Sequence, residues 1–242
     1  MIITSIENEK IKYFKKLKDY KYIKKERKFL IETENIVQEA IKNNYLEELI
    51  ILDTYDNKYS SDIKKTIVNS KVMSYLSSMK SIPKVIGVCK TLNEKEIKNR
   101  VVILDDVQDP GNAGTIVRSA AAFNIDTVIL TEGSVNIYNE KFLRATEGNI
   151  FNINIIRKNK KDLVNLLKKE NYKIIGTKMD AEKEISKYNK PFKFALVFGS
   201  EGKGISKELL EVCDDFIKVD MNSHTESLNV AVSASIILYF MR

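Results

Sequence analysis

The sequence predicts an α/β protein built on a mostly parallel sheet with helices on both faces. Apolar runs typical of strands recur along the second part of the chain, at residues 101–104, 127–130, 173–176, 194–198 and 216–219. Helical patterns fall between or after them, at residues 113–123, 161–170, 203–212 and 227–240. Strands that alternate with helices favour a parallel sheet. The 242 residues are 43% apolar, which is enough for large cores.

The first 98 residues predict a smaller α/β/α unit. A one-sided helix is expected at Glu34–Lys42, and an apolar strand follows at residues 46–52. Residues 91–100 are polar and charged without periodicity, and they precede the apolar run at 101–104. Such a stretch is typical of a linker. We therefore expect two domains, residues 1–98 and residues 99–242.

The net charge of +7 lies mainly on the first domain. Lys and Arg outnumber Asp and Glu by 20 to 14 in residues 1–98, and by 20 to 19 in residues 99–242. Residues 10–28 alone hold ten basic side chains, interleaved with the aromatic residues Tyr13, Phe14, Tyr20 and Tyr22 and followed by Phe29. Such a segment suits a phosphate backbone with stacked bases, and equally a solvated helix whose rings pack inward.

Several classes of protein are disfavoured by the sequence. Cys89 and Cys213 are far apart and lack any metal-ligand spacing, so we expect both to be reduced. His224 is the only histidine, and we expect it to be neither a metal ligand nor a catalytic base. No apolar run approaches the ~18 residues of a membrane span, and residues 1–7 lack the layout of a secretion signal. The expectation is a cytoplasmic protein without a metal or a membrane partner.

The first segment that can carry chemistry follows the strand at residues 101–104. Asp109–Asn112 is predicted to be a tight turn, with Gly111 in a left-handed conformation and a helix starting near Ala113. Arg118 would then lie one turn inside that helix, where a cation opposes the helix dipole. This favours a ligand phosphate or a carboxylate beside Arg118. The structural alternative is a salt bridge to Asp105, Asp106 or Asp109.

The second segment, residues 195–206, places three glycines within six residues directly after a strand. Such a loop lets backbone N–H groups approach a ligand closely. It is not a P-loop, because Lys203 is followed by Gly204, and Ser200 lacks the flanking pattern of a hydrolase nucleophile. Glu201 lies between two glycines and is expected to be a positioned carboxylate.

The third segment, residues 216–238, precedes and includes an apolar helix. Ser223 and Glu226 have the spacing of a capping box, which gives both a structural role. Ser227 and Asn229 are not explained by that box. They are therefore candidates for a functional site.

Taken in order, these segments resemble the three motifs of the SpoU-type, TrmH-like RNA ribose 2′-O-methyltransferases of the SPOUT superfamily. The matching stretches are Asn112 to Arg118, residues 199–204 and residues 221–230, with residues 141–148 similar to an intermediate motif of the family. Residues 28–37 resemble the family's substrate-binding domain, which is related in fold to a ribosomal protein. The chain departs from the family pattern at Thr33, where glycine is usual, and at Asp220 and Ser223.

The resemblance implies a SPOUT catalytic domain with a deep C-terminal trefoil knot, preceded by an RNA-binding domain. It implies S-adenosylmethionine as methyl donor, held by Gly199, Val219 and Leu228. The catalytic set it implies is Arg118, Asn112, Glu201, Ser227 and Asn229. It also implies a homodimer with the site at the subunit interface, acting on structured RNA, with rRNA favoured over tRNA.

The resemblance assigns proton acceptance from the ribose 2′-hydroxyl to Arg118, assisted by the substrate phosphate. A guanidinium has a pKa above ~12, so a clamp on the phosphate is the physically simpler role. Two other functions remain open: a SPOUT enzyme that methylates a base of tRNA, and an inactive RNA-binding module. Asn112 and Arg118 argue against the module, and residues 227–229 favour ribose as the target.

Overall fold

The computed structural model describes residues 2–56, 58–222, 224 and 227–242. Within them the chain forms two compact units. The first holds the residues up to Asn93 together with Glu147–Phe151, and the second holds Glu94–Thr146 and Asn152–Arg242. In the first unit the ring of Phe151 stacks on Phe29, with 6.3 Å between ring centroids.

The first unit is a five-stranded mixed sheet with helices. Its elements are β1 (Ile2–Ile3), α1 (Glu9–Lys16), α2 (Tyr20–Glu26), β2 (Lys28–Glu32), α3 (Glu34–Lys42), β3 (Leu46–Leu52), β4 (Lys64–Val68), α4 (Ser70–Leu76) and β5 (Val85–Lys90). The strand order is β1-β4-β3-β5-β2, with β4 parallel to β1 and β3, and β5 antiparallel to β2 and β3. The predicted helix and strand at 34–42 and 46–52 are confirmed.

Alternate strand residues explain how this sheet is covered on both faces. Leu30, Ile50 and Ile86 pack in one buried cluster with residues of α1, its C-cap and α4, namely Ile11, Phe14, Leu17, Val72, Met73 and Leu76. Neighbouring residues of a strand point to opposite faces, and helix α3 contacts β2, β3 and β5 with its own buried residues. The aromatic rings of the basic segment, residues 10–29, support both interpretations of it, since some pack inward and others remain available for base stacking. Phe14 and Phe29 are buried, whereas Tyr20 is 52% exposed.

Thr33, between β2 and α3, has an unusual backbone conformation. Its φ is 90° and its ψ is 144°, a region that is essentially restricted to glycine. Thr33 precedes α3 without capping it, because its side chain accepts no hydrogen bond from the helix. Thr33, which stands where the resembled family has glycine, therefore has a strained backbone.

The second unit carries a seven-stranded sheet in which every pair is parallel. Its elements are β6 (Arg100–Asp105), α5 (Pro110–Ala122), β7 (Thr127–Thr131), α6 (Glu140–Ala145), β8 (Asn154–Lys158), α7 (Lys160–Lys169), β9 (Lys173–Thr177), β10 (Lys183–Glu184), β11 (Phe194–Gly199), α8 (Lys207–Leu210), β12 (Asp215–Lys218) and α9 (Val230–Met241). The strand order is β10-β12-β9-β11-β6-β7-β8. The predicted α/β class and mostly parallel sheet are confirmed.

Apart from the start of α5, the element predictions for this unit failed in three respects. The predicted helix at 203–212 is wrong, because residues 203–206 belong to a loop and α8 spans only Lys207–Leu210. The last helix begins at Val230 rather than at residue 227. The elements β8, α6 and β10 were not predicted. Helix α6 has six residues and β10 has two, which is too short for a repeating pattern, and β8 has two apolar residues among five, Ile155 and Ile156.

Candidate functional site

A cavity of about 690 Å³ lies at the carboxyl ends of three neighbouring strands, β9, β11 and β12. Its walls come from the segments that follow those strands and from the start of α9, namely residues 177–180, 198–205, 217–219, Met221, 227–230, Ser233 and Ile237, together with Leu210 of α8. Ligands of parallel α/β sheets bind at this edge. The volume is within the roughly 300–1,000 Å³ of typical small-molecule sites.

The glycine-rich loop after β11 forms one wall of this cavity and folds back on itself. Ser200 and Gly204 exchange two backbone hydrogen bonds, of 3.1 and 2.9 Å. A Cβ at position 199 would lie 2.1 Å from the Gly204 carbonyl carbon, so only glycine fits there. Gly204 itself has a φ of 68°, a left-handed conformation that glycine adopts without strain.

Three predicted site residues form a hydrogen-bonded chain beside the cavity. The Asn229 Nδ2 group donates to Asn112 Oδ1 at 3.0 Å, and Asn112 Nδ2 donates to Glu201 Oε1 at 2.6 Å. The Asn229 Oδ1 atom accepts from the N–H groups of Ala231 and Val232, so Asn229 also caps α9. These bonds join α5, α9 and the glycine-rich loop into one polar cluster.

The start of α5 differs from the predicted tight turn. Pro110 and Gly111 are the first residues of the helix, and Asp109 is its N-cap, accepting from the Asn112 N–H at 2.8 Å. Proline is favoured at the first helical position, because its fixed φ matches the helix. The Asp109 carboxylate also accepts from Lys141 at 2.8 Å, and these hydrogen bonds lower the pKa of Asp109.

Arg118 lies in the second half of α5 because the helix starts early. The predicted conflict with the helix dipole is therefore wrong, since that effect is confined to the first turn. The predicted alternative of a salt bridge is also wrong. Asp105 and Asp106 pair with Lys160, and Asp109 pairs with Lys141. Arg118 is exposed, and within the described part of the chain its side chain has no hydrogen bond or ion pair.

Helices α5 and α9 pack side by side in the same direction. Besides the Asn112–Asn229 pair, the hydroxyl groups of Ser119 and Ser235 are 2.7 Å apart. Further along, the rings of Phe123 and Tyr239 meet edge to face at 5.8 Å. Sequence periodicity gave no indication of this pairing, because the partners are more than a hundred residues apart.

The structure thus brings most of the predicted site residues together. Six of them line the cavity, namely Gly199, Glu201, Val219, Ser227, Leu228 and Asn229. Asn112 reaches this group through its two hydrogen bonds, whereas Arg118 is not among the lining residues. The predicted capping pair, Ser223 and Glu226, lies outside the described residues.

The remaining candidate groups show no reactive chemistry. Burial raises the pKa of the Cys89 thiol well above its usual value and that of Cys213 to about 11, so both stay protonated at neutral pH. Across the residues described, no group of three or more His, Cys, Asp or Glu side chains could hold a metal ion. No helix in those same residues is long and apolar enough to cross a membrane.

Comparisons with known proteins agree along the whole chain. Residues 99–239 match the model of the SpoU rRNA Methylase family, and residues 8–87 match that of the MRM3-like substrate binding domain. The chain is 35% identical over 246 residues to the 23S rRNA (guanosine(2553)-2′-O)-methyltransferase RlmP of Bacillus subtilis, covering 99% of this chain and 98% of that protein.

Two solved structures share this architecture. A crystal structure of an RNA 2′-O ribose methyltransferase superposes with a TM-score of 0.87 at 25% identity, covering 100% of this chain and 98% of that one. The AdoMet-bound rRNA methyltransferase of Sinorhizobium meliloti also superposes with a TM-score of 0.87, covering 100% of this chain and 97% of that one. At 24% identity, the second likeness shows the fold alone.

Proposed function

This chain belongs to the SpoU rRNA methylase family, and we propose that it transfers a methyl group from S-adenosylmethionine to a ribose 2′-hydroxyl of structured RNA, with rRNA as the substrate class. The observation that carries the proposal is the chain of hydrogen bonds from Asn229 through Asn112 to Glu201 beside the glycine-lined cavity. The full-length similarity to a protein named as a 23S rRNA 2′-O-methyltransferase supports rRNA over tRNA.

The residues around the cavity fit the methyl donor. Gly199 lines it without a side chain, so a ligand can approach the backbone of the loop. Leu228 and Val219 offer apolar contacts, and Glu201 places a carboxylate on the same wall, which suits a positively charged ligand. When bound, S-adenosylmethionine supplies a methyl group on a sulfonium that an oxygen nucleophile can displace. We assign Gly199, Val219 and Leu228 to holding it.

The chain's own residues would act mainly by alignment. Asn112, held at both ends of its amide, fixes the distance between α9 and the Glu201 carboxylate. Ser227 is exposed at the cavity, and we assign to it and to Asn229 the orientation of the ribose. Holding the attacking oxygen in line with the methyl group removes much of the entropic barrier. Arg118 then clamps the substrate phosphate and stabilises the negative charge that develops on the 2′-oxygen.

Arg118 requires a second copy of the chain in this proposal, because within one copy it does not line the cavity. Helix α9 borders the cavity and carries a stripe of exposed or half-buried apolar residues on another face, Val232, Ile236, Tyr239 and Phe240. Exposed apolar stripes of this kind mark protein interfaces. We propose a homodimer that buries this stripe and places Arg118 of one copy at the cavity of the other.

The first unit, by its match to a substrate-binding domain, is proposed to bind the RNA. Helix α2 presents Lys21, Lys24 and Lys25 to solvent next to the exposed ring of Tyr20, a combination that suits phosphates and unstacked bases. We retain residues 1–98 and 99–242 as the functional domains. We also propose that the catalytic unit carries the deep trefoil knot and that the protein acts in the cytoplasm.

The direct test is transfer of labelled methyl from S-adenosylmethionine to total RNA from cells that lack this protein. Linkages that resist alkali are then mapped, because a 2′-O-methyl group blocks alkaline cleavage. One new resistant linkage in rRNA is expected. Incorporation without a resistant linkage would indicate base methylation, and binding of the donor without any incorporation would favour the RNA-binding module.

Arg118→Ala tests both the catalytic role and the dimer. Alone, it should abolish turnover while the dissociation constant for S-adenosylmethionine stays unchanged. Mixed by refolding with an inactive Gly199→Ala chain, it should recover about one quarter of wild-type activity, since half of randomly paired dimers are mixed and each has one intact site. Activity of Arg118→Ala on its own, or no recovery in the mixture, would contradict the assignment.

A further inference from the structure

Asp105 is a buried carboxylate at the carboxyl end of β6 that the proposed chemistry does not use. Its side chain is 1% exposed. Its Oδ2 atom accepts a hydrogen bond of 2.6 Å from the Ser206 N–H, and its Oδ1 atom lies 3.3 Å from the Lys160 ammonium. Burying a carboxylate is costly even when it is paired. A charge placed here therefore calls for a role that an apolar residue could not fill.

Asp105 contacts both ends of the glycine-rich loop that lines the cavity. In the pairing of β6 with β11, it lies opposite Gly199, where the loop begins. Its carboxylate binds the backbone of Ser206, directly after the last cavity-lining residue of the loop, Ile205. The carboxylate and the strand pairing together fix the span that the loop must bridge.

Lys160 links Asp105 to the carboxylate of Asp106, which has no hydrogen bond to the glycine-rich loop among the described residues. Its ammonium lies 2.7 Å from Asp106 Oδ2, and Asp106 Oδ1 accepts from the Thr131 hydroxyl at 2.7 Å. Both aspartates thus share one cation. Of the two, Asp105 has the hydrogen bond to the glycine-rich loop. Asp106 therefore provides a matched control within the same ion cluster.

We propose that Asp105 is a positioning residue for methyl transfer, whose carboxylate holds the glycine-rich loop in the shape that binds S-adenosylmethionine. The inference rests on the proposed function, because it names that cofactor. Glycines leave a loop many accessible conformations, and a binding shape that is populated only part of the time weakens affinity by that fraction. A hydrogen bond to an ionised acceptor is among the stronger anchors available to a backbone N–H.

The test compares Asp105→Asn and Ser206→Pro with Asp106→Asn. Ser206→Pro removes the donor and keeps the aspartate, and the φ of −63° at this position suits proline. Its ring Cδ replaces the N–H hydrogen that points at Asp105 Oδ2, so the carboxylate must also move away from the loop. Calorimetry measures the dissociation constant for S-adenosylmethionine, and hydrogen exchange of residues 199–206 is followed without cofactor. The first two variants should bind roughly tenfold more weakly, because Asp105→Asn leaves only a neutral acceptor and Ser206→Pro leaves no donor. Their loop amides should also exchange faster. Asp106→Asn should leave both quantities close to wild type.

The outcomes separate the two proposals. A wild-type protein that does not bind S-adenosylmethionine would contradict the proposed function, and the exchange measurement would still test the anchoring of the loop. Wild-type affinity and wild-type exchange in Asp105→Asn or in Ser206→Pro would overturn the role of Asp105. Equal weakening by Asp106→Asn would also overturn it, because the effect would then belong to the ion cluster as a whole. If Asp105→Asn does not fold, Ser206→Pro decides.

Discussion

Thr33 is the position where a single substitution should stabilise the protein most directly. Its φ of 90° and ψ of 144° suit glycine, and a residue with a Cβ held there stores about 1–3 kcal/mol of strain. Its hydroxyl oxygen is buried without a hydrogen-bond partner among the described residues, which costs about another 1–3 kcal/mol. Both costs disappear in Thr33→Gly.

Two smaller effects oppose this gain. Glycine loses about 0.5–1 kcal/mol more conformational entropy on folding, and the lost methyl group forfeits about 0.8 kcal/mol of burial. No capping bond is lost, because the Thr33 side chain makes none to α3. The expected net gain is about 2 kcal/mol, which corresponds to a rise of roughly 4–8 °C in melting temperature for a chain of this length.

The assay is calorimetric melting of wild type, Thr33→Gly and Thr33→Ala. Alanine removes the hydroxyl and the γ-methyl group but keeps a Cβ at the strained φ, so the difference between the alanine and glycine variants isolates the contribution of the backbone conformation. Thr33→Gly should therefore melt above Thr33→Ala, and both should melt above wild type. A glycine variant no more stable than the alanine variant would refute the argument from backbone strain.

Three further predictions follow from the cavity, α9 and the buried Glu48. Gly199→Ala should weaken S-adenosylmethionine binding more than tenfold in calorimetry, because the added Cβ would lie 2.1 Å from loop backbone. Gly202→Ala, whose added Cβ meets no protein atom within 4 Å, should keep the shape of the loop and bind the donor more tightly than Gly199→Ala does. Val232→Glu, at a side chain 47% exposed on α9, should shift the protein to a monomer in sedimentation, and Asn165→Glu on α7 should not. Burial would raise the pKa of Glu48, but hydrogen bonds, chiefly from Lys10, lower it below 4.5. The resulting stability is present above pH 4.5 and is lost as the pH falls through the folded-state pKa, so Glu48→Gln should melt with a flatter acid dependence. Equal affinities of the two glycine variants, a dimeric Val232→Glu protein, or an unchanged acid dependence would each contradict its prediction.

Local pattern was sufficient for much of the sheet and for the position of the cavity. The strand at β11 and the glycines after it are consecutive in sequence, so alternating apolar runs and turn residues report them directly. Parallel strands place their carboxyl ends at one edge, so segments that each follow such a strand come to lie at that edge. Each of the three motifs is likewise a run of nearby residues, so each can be recognised from the sequence.

Pattern failed at two places where specific local hydrogen bonds outweigh residue propensity. Pro110 and Gly111 have strong turn propensity, yet they begin a helix because the Asp109 side chain caps it. The predicted helix at 203–212 began at Lys203. In the structure Lys203 lies in the loop that Ser200 and Gly204 close by backbone hydrogen bonds.

The sequence by itself determined the α/β class, the mostly parallel sheet and the strand-to-loop junctions that line the cavity, because these depend on residues that are near one another along the chain. The tertiary structure decided that Asn229 both caps α9 and binds Asn112, that Asp105 is buried against Ser206, and that Arg118 stands away from the cavity. Asn112 and Asn229 are 117 positions apart. No local preference encodes such a contact, because its free energy appears only when the packed sheet has brought the two helices together.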